Sequence, residues 1–141
     1  MAVLIDPEKI EIERLPTLVK LIHLSVATHI FVGGSTDKNN CIENVVIELK
    51  KATILPVIIF PGSADQVSNK ADGILFLSLI SGRNPEYLIE QQVQAAIQIK
   101  ESNLEVLPTG YILVDGGKES AVERVSSSKP ICQTNSESIL K

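Results

Sequence analysis

Residues 57–63 read Val-Ile-Ile-Phe-Pro-Gly-Ser, and residues 74–77 read Ile-Leu-Phe-Leu. The first four residues of the first stretch and all four of the second are apolar, so the apolar residues are continuous rather than at alternate positions. A strand that is buried on both faces has this composition, which is typical of parallel sheets. The two runs therefore predict two strands of a parallel sheet.

Three further apolar runs, at residues 2–5, 29–32 and 105–107, extend this pattern, and we expect the last run to resume at residues 111–114. Amphipathic segments separate most of the runs and predict helices. Their apolar faces are Leu18, Leu21, Ile22 and Val26 behind Pro16; Ile42, Val45, Val46 and Leu49; and Ile89, Val93, Ala96 and Ile97 after an Asn84-Pro85-Glu86 helix start. Between residues 63 and 70 there is room for a short helical turn at most. Alternating strands and helices predict βαβ units in an α/β fold.

Composition limits the classes of function. The chain has 141 residues, enough for one domain, and a net charge of −4. No basic stripe is present to neutralise the phosphates of nucleic acid or of an anionic membrane surface. No apolar stretch reaches the about 18 residues of a membrane span, the first residues do not resemble a signal peptide, and the two cysteines lack metal-ligand spacing. We expect a cytoplasmic protein without a membrane span.

Small and polar residues follow each predicted strand, where the carboxyl ends of parallel strands would bring them to one edge of the sheet. They are Asp6-Pro7, Gly33-Gly34-Ser35-Thr36, Pro61-Gly62-Ser63, Ser78 with Ser81-Gly82-Arg83-Asn84, and Asp115-Gly116-Gly117. Small residues let a ligand approach the backbone, and carboxylates or hydroxyls can hold a metal or an alcohol. Each motif alone also fits a local role, since aspartate before proline starts turns and glycine-rich segments form loops or helix caps.

Several well-known motifs are absent. Gly33-Gly34-Ser35 is not followed by the Gly-Lys-Ser/Thr of a phosphate-binding loop, and neither GxGxxG, GxSxG nor HExxH occurs. His23 and His29 have no cysteine or carboxylate nearby in the sequence as a partner, so we do not expect either to be catalytic. The residues alone therefore predict a site at the strand ends without defining its reaction.

Five segments together resemble one family, the geranylgeranylglyceryl/heptaprenylglyceryl phosphate synthases. They are AVLIDPEK at residues 2–9, FVGGS at 31–35, VIIFPGS at 57–63, FLSLISGRNP at 76–85 and PTGYILVDGG at 108–117. The segments occur in the family's order and at matching spacing. The resemblance covers residues 1–131, which it identifies as the N-terminal portion of a (β/α)8 TIM barrel, whereas residues 132–141 form a divergent tail.

The resemblance implies an activity and a site. Members of the family transfer a polyprenyl group from its diphosphate to sn-glycerol 1-phosphate in ether-lipid synthesis, and they require Mg²⁺. Asp6 and Ser35 match the family's two metal ligands, which suits a cation that binds oxygen atoms and neutralises a leaving diphosphate. We expect Ser63, Ser78, Arg83, Asn84 and Tyr111 to line the substrate site, and we assign no catalytic residue.

The sequence accounts for about the first five of eight barrel strands and lacks the family's glycerol-phosphate segments. We therefore expect the chain to be inactive alone. One alternative is a non-catalytic half-barrel module for binding or assembly, possible as a homo-oligomer, which a discrete dimer with a cooperative melt would favour. Another is a flavodoxin-like phosphate-binding domain, which would need helices on both faces of its sheet.

Overall fold

The computed structural model describes residues 1–35, 41–135 and 137. Its framework is one sheet of five strands: β1 (Ala2–Ile5), β2 (His29–Val32), β3 (Val57–Ile59), β4 (Gly73–Ser78) and β5 (Glu105–Gly110). Each strand is parallel to its sequence neighbours, in the order β1-β2-β3-β4-β5. The predicted α/β fold with five parallel strands is confirmed. The flavodoxin-like alternative is wrong, because that fold places the first strand between the second and the third.

In the described part of the chain four α-helices accompany the sheet: α1 (Leu15–His23), α2 (Ile42–Ala52), α3 (Gln91–Lys100) and α4 (Ala121–Ser126). A 3-10 turn at Ile12–Arg14 precedes α1, and a wider π-helical turn at Glu86–Glu90 precedes α3. Residues 63–70, between β3 and β4, are a loop, as expected from their small number. Neither residues 1–35 nor residues 41–135 contain a helix long and apolar enough to cross a membrane.

The core lies along the middle of the sheet and has two parts. One packs α1 and α2 against β1, β2 and the start of β3, and the other packs α3 against β3 and β4. All three residues of β3 are buried, whereas Leu4 in β1 and Val106 in β5 are 53% and 41% exposed. Burial therefore decreases from the central strand to the two outer strands.

Helix α2 buries the face that the sequence predicted, namely Ile42, Val45, Val46 and Leu49. The prediction for α1 was wrong in part, because its buried residues are Leu15, Val19 and Ile22. The helix begins at Leu15, one residue before Pro16, and its buried face follows helical spacing from Leu15. Leu21 lies off this face and is exposed. Val26 lies beyond the helix end and is exposed as well.

The predicted inner face of the third helix was also wrong. Ile89, Val93 and Ile97 are 62%, 67% and 71% exposed, and Ala96 is exposed too. The buried residues of α3 are Ala95 and Ile99. The π-helical turn before α3 has i→i+5 spacing, so helical spacing counted across it does not follow one face.

The last predicted strand segment was wrong as well, because β5 continues directly from Glu105 to Gly110 and then ends. Of residues 111–114, Val114 makes an isolated parallel bridge with Ile131. Helix α4 was not predicted, although Ser120 and Glu123 form a capping box at its start. Thr36 and residues 136 and 138–141 of the predicted tail lie outside the described residues.

Candidate functional site

A cavity of about 370 Å³ opens at the carboxyl ends of β1, β2 and β3 and continues between β4 and α3. Four of the seven predicted site residues line it: Asp6, Ser35, Ser63 and Tyr111. The sheet brings these residues together because its strands are parallel and consecutive, so that all of their carboxyl ends face the same edge.

The carboxylate of Asp6 is both a turn former and a wall residue of the cavity. Asp6 Oδ1 accepts a hydrogen bond from the N–H of Glu8 at 3.1 Å, and the backbone carbonyl of Asp6 accepts one from the N–H of Lys9 at 3.1 Å. Oδ2 accepts a hydrogen bond from Lys9 Nζ at 2.6 Å. The Asp6 side chain is nevertheless 25% exposed. The turn and the predicted ligand role are therefore compatible at this residue.

Two glycines let the loops at the strand ends pack closely. A Cβ on Gly34 would lie 3.1 Å from Asp6 Oδ1, and a Cβ on Gly62 would lie 2.2 Å from the carbonyl oxygen of Gly34. The loop after β2 thus lies directly between Asp6 and the loop after β3. Ser35 follows Gly34 in this position and is half-buried.

The loop after β3 is fixed by a glutamine that sequence reasoning missed. Gln66 is buried, and its Oε1 accepts the N–H of Gly62 at 2.7 Å. Ser63, which lines the cavity, donates its hydroxyl to Asp65 at 2.5 Å. Ser63 therefore has a local partner within the loop, and Gln66 holds the backbone next to it.

Most of the cavity wall is apolar. Phe60 and Tyr111 pack edge to face with their ring centroids 5.6 Å apart, and Phe60 also contacts Phe31 at 6.1 Å. Burial raises the pKa of the Tyr111 hydroxyl above its ordinary value. Further apolar side chains of the wall come from β4 and α3, including Phe76, Ala95 and Ile99, and from the loop after β3, which contributes Ala64 and Val67.

Two glutamines of α3 also face this cavity and were missed. Gln91 Oε1 accepts the N–H of Ala64 at 2.7 Å, and Gln92 Nε2 donates to the carbonyl of Leu77. Gln92 Oε1 is buried and has no hydrogen-bond partner among the described residues. The amphipathic pattern gave no signal for them, because a glutamine on a helix usually indicates the exposed face.

Ser78, Arg83 and Asn84 are not among the described residues that line this cavity, and their place in a substrate site stays a prediction. Their side chains bond to the surrounding backbone: Ser78 Oγ to Leu88 O at 3.4 Å, Arg83 Nη1 to Gly82 O at 2.7 Å and Asn84 Nδ2 to Ser126 O at 2.9 Å. The bonds of Ser78 and Asn84 hold this region against the turn before α3 and the end of α4, and the bond of Arg83 lies within the loop after β4.

Asp115, which we placed at the end of the fifth strand, lies beyond it. Its carboxylate is exposed, and Oδ1 accepts the N–H of Gly117 at 2.7 Å. The turn alternative therefore describes this motif. His23 and His29 bond to the hydroxyls of Thr53 and Thr28 at 2.7 and 2.8 Å.

The oxygen donors at the mouth of the cavity suit a hard cation. Within the described parts of the chain there is no group of three His, Cys, Asp or Glu residues that could hold a metal by themselves. Asp6 and Ser35 supply one carboxylate and one hydroxyl at the mouth. Magnesium is commonly bound in this way, by one or two carboxylates, water and the phosphates of a substrate, so these residues fit Mg²⁺.

The parallel sheet in sequential order, with polar groups at its strand ends, places the chain in the (β/α)-barrel class of folds. More narrowly, it belongs to the PcrB family, whose model matches residues 1–141.

Among curated proteins, the chain is 56% identical over 135 residues to the geranylgeranylglyceryl phosphate synthase (GGGPS) of Flavobacterium johnsoniae, covering 96% of this chain and 56% of that protein. It is 54% identical over 139 residues to the geranylgeranylglyceryl phosphate synthase of Zunongwangia profunda, covering 99% of this chain and 59% of that protein. The resemblance inferred from the sequence is confirmed.

Solved structures agree with these relatives. The chain matches wild-type GGGPS from Thermoplasma volcanium with a TM-score of 0.89 at 31% identity, covering 99% of this chain and 55% of that one. It matches the synthase of Thermoplasma acidophilum, solved in complex with its substrate sn-glycerol-1-phosphate, with a TM-score of 0.90 at 33% identity, covering 99% and 56%. The chain spans about half the length of the curated relatives it matches, which confirms the prediction of a partial (β/α)8 barrel.

Proposed function

We propose that this chain provides the prenyl diphosphate side of a prenyltransferase that uses sn-glycerol 1-phosphate as the acceptor in ether-lipid synthesis. The observation that carries the proposal is the shape and charge of the cavity: its wall is mostly apolar, and the charged residues among its described lining, Asp6 and Lys9, lie near the strand ends. A prenyl diphosphate has the matching form, with a long apolar chain and a compact anionic head.

The diphosphate would bind at the mouth, next to Asp6 and Ser35. Both side chains can hold Mg²⁺ through oxygen, and Gly34 lets the backbone come close to them. Bound magnesium would neutralise the charge that develops on a departing diphosphate. The task of Asp6 and Ser35 in this proposal is to position that charge at the edge of the sheet.

The prenyl chain would lie in the apolar part, between β4 and α3. A loop occupies the connection between β3 and β4, and its small side chain Ala64 lies against the cavity. Phe60 and Tyr111 pack edge to face on the cavity wall, where they would exclude water from the carbon atom that loses its diphosphate.

The acceptor is proposed from the relatives. The Thermoplasma acidophilum synthase was solved with sn-glycerol-1-phosphate, and the curated relatives carry the same enzyme name. No acceptor-binding residue is assigned in the described part of the chain. A cytoplasmic location remains part of the proposal.

Calorimetric titration with geranylgeranyl diphosphate tests the donor side. The chain is expected to bind it with Mg²⁺ present, and Asp6→Asn is expected to weaken binding by about tenfold or more, because a metal-binding charge is lost. Asp115→Asn is a matched control, since Asp115 is an exposed aspartate in a turn outside the cavity. Equal binding by the wild-type chain and Asp6→Asn, or binding that does not depend on Mg²⁺, would contradict the proposal.

A further inference from the structure

The charges on the cavity wall are few and close together. Among the described residues that line the cavity, Asp6 and Lys9 are the charged ones, so Lys9 supplies the one positive side chain. Its ammonium lies 2.6 Å from Asp6 Oδ2, which leaves this pair with no net charge. A diphosphate carries several negative charges and therefore needs more positive charge than the pair offers.

Little holds Lys9 in this position. Its side chain is 81% exposed, and its pairing with Asp6 spans three residues within one turn. Such exposed ion pairs are weak, because water competes for both partners and the side chains lose freedom when they pair. The lysine stem is flexible and carries three N–H donors, so the ammonium can reach another anion near the mouth while its backbone stays in the turn.

We propose that Lys9 changes partner when the diphosphate binds, moving from Asp6 to an oxygen atom of the diphosphate and so freeing the carboxylate for Mg²⁺. This inference rests on the proposed function, because it requires a diphosphate at the mouth of the cavity. It makes Lys9 a second binding group for the anionic head. It also gives the Asp6–Lys9 pair a role before binding, since the pair keeps the carboxylate neutralised next to an apolar wall.

A change of partner predicts opposite effects on two ligands. Lys9→Gln removes a charge-assisted contact with the diphosphate, so binding of inorganic pyrophosphate in Mg²⁺ is expected to weaken about tenfold or more. The same variant removes the cation that competes for Asp6, so Mn²⁺ without pyrophosphate is expected to bind as well as in the wild type or better. A residue that only stabilised the turn would weaken both.

The experiment uses calorimetry for pyrophosphate and electron paramagnetic resonance for Mn²⁺, on the wild-type chain, Lys9→Gln and Lys9→Arg. Lys51→Gln is the matched control, because Lys51 makes an i,i+3 ion pair with Glu48 at 2.7 Å on α2, and neither residue lines the cavity. Lys9→Arg is expected to retain most of the pyrophosphate binding, and the control is expected to behave as the wild type does.

Each outcome separates the inference from the function on which it rests. If the wild-type chain binds pyrophosphate and Lys9→Gln binds it equally well, Lys9 is not a binding group, whereas the proposed donor site stands. If Lys9→Gln loses both ligands together, Lys9 supports the turn and the change of partner is wrong. If the wild-type chain does not bind pyrophosphate in Mg²⁺, the proposed function and this inference both fail.

Discussion

Asp6 forms a local turn and also lies on the wall of the cavity. The sequence offered a turn before Pro7 or a ligand at a strand end, and the structure contains the turn with the carboxylate still facing the cavity. Its two carboxylate oxygens have different partners, because Oδ1 accepts a hydrogen bond from the Glu8 N–H and Oδ2 accepts one from the exposed Lys9. The pairing with Lys9 depends on side-chain conformation, which residue spacing alone does not fix.

Gly34→Ala tests how closely Asp6 must be positioned. The added Cβ would lie 3.1 Å from Asp6 Oδ1, so we expect the carboxylate to shift and Mg²⁺-dependent pyrophosphate binding to fall several-fold. The free energy of unfolding should change by less than about 1 kcal/mol, because the contact is with a partly exposed side chain. Gly116→Ala is the control, since its Cβ would meet nothing within 4 Å. Unchanged binding by Gly34→Ala would mean that Asp6 tolerates displacement.

Tyr111 predicts a pH dependence of stability. Burial raises its pKa above the ordinary value of about 10, so the folded chain holds the phenolic proton more tightly than the unfolded chain does. This contribution is fully present below about pH 10 and is lost as the pH rises through the folded pKa. The pKa of Tyr87 is raised too, by burial and by Glu86, so Tyr111→Phe should remove only part of the alkaline loss. Denaturant unfolding of the wild type and of Tyr111→Phe at about pH 8 and about pH 11 measures the alkaline loss of unfolding free energy. Identical losses in the two proteins would refute the prediction.

Among the elements, those with an uninterrupted local pattern were predicted best. Helix α2 buries its predicted stripe, and β3 is buried at every residue. Helix α3 was misjudged because a π-helical turn precedes it and because Gln91 and Gln92 face inward. For α4, the Ser120-x-x-Glu123 capping box was a readable signal that apolar periodicity alone does not detect.

Asp72 connects helix α2 with the first residue of strand β3. Its carboxylate accepts from Lys50 of α2 at 2.6 and 2.8 Å and from the buried N–H of Val57 at 2.8 Å. Asp72→Asn keeps an acceptor for Val57 and removes a half-exposed ion pair, so the loss of unfolding free energy should stay below about 1 kcal/mol. Asp72→Ala also leaves the Val57 N–H without its partner, and the loss should rise to about 1–3 kcal/mol. Equal losses in urea unfolding would show that the hydrogen bond to Val57 contributes little.

The same residue gives a prediction at acid pH. Burial acts to raise the pKa of Asp72, but the hydrogen bonds from Lys50 and Val57, with the lysine charge, lower it below its ordinary value of about 4. The folded state therefore favours the ionised form, and its contribution is present above about pH 4 and lost as the pH falls further. Urea unfolding at about pH 7 and about pH 3 should show a smaller acid loss for Asp72→Asn than for the wild type.

At the scale of the whole molecule, the sequence predicted the sheet class but not the state of its outer strands. Strand count and direction followed from five apolar runs and from the amphipathic segments that separate most of them, which are long enough for the crossovers that parallel strands need. The strand order also eliminated one alternative, the flavodoxin-like domain. Packing of β1 and β5 could not be predicted, because burial of an outer strand depends on what lies beside it rather than on its own residues.

The exposed apolar side chains of the outer strands predict self-association of this chain. Leu4 and Val106 are partly exposed on β1 and β5, and in the described structure each of these strands pairs with one other strand only. Sedimentation velocity should show an average mass that increases with concentration. Val106→Lys should reduce the increase, because a lysine on an edge strand opposes strand pairing. Val93→Lys, on the exposed face of α3, is the control; a monomer at every concentration would overturn the prediction and with it the homo-oligomer.

The account depends most on the position of the metal and the diphosphate. A crystal of the chain soaked with Mn²⁺ and pyrophosphate, measured at the manganese absorption edge, would locate the ion directly. The account predicts an anomalous peak about 2.0–2.3 Å from an Asp6 carboxylate oxygen, with Ser35 beside it and pyrophosphate oxygens on the ion. A peak elsewhere, with Asp6 still bonded to Lys9, would contradict it.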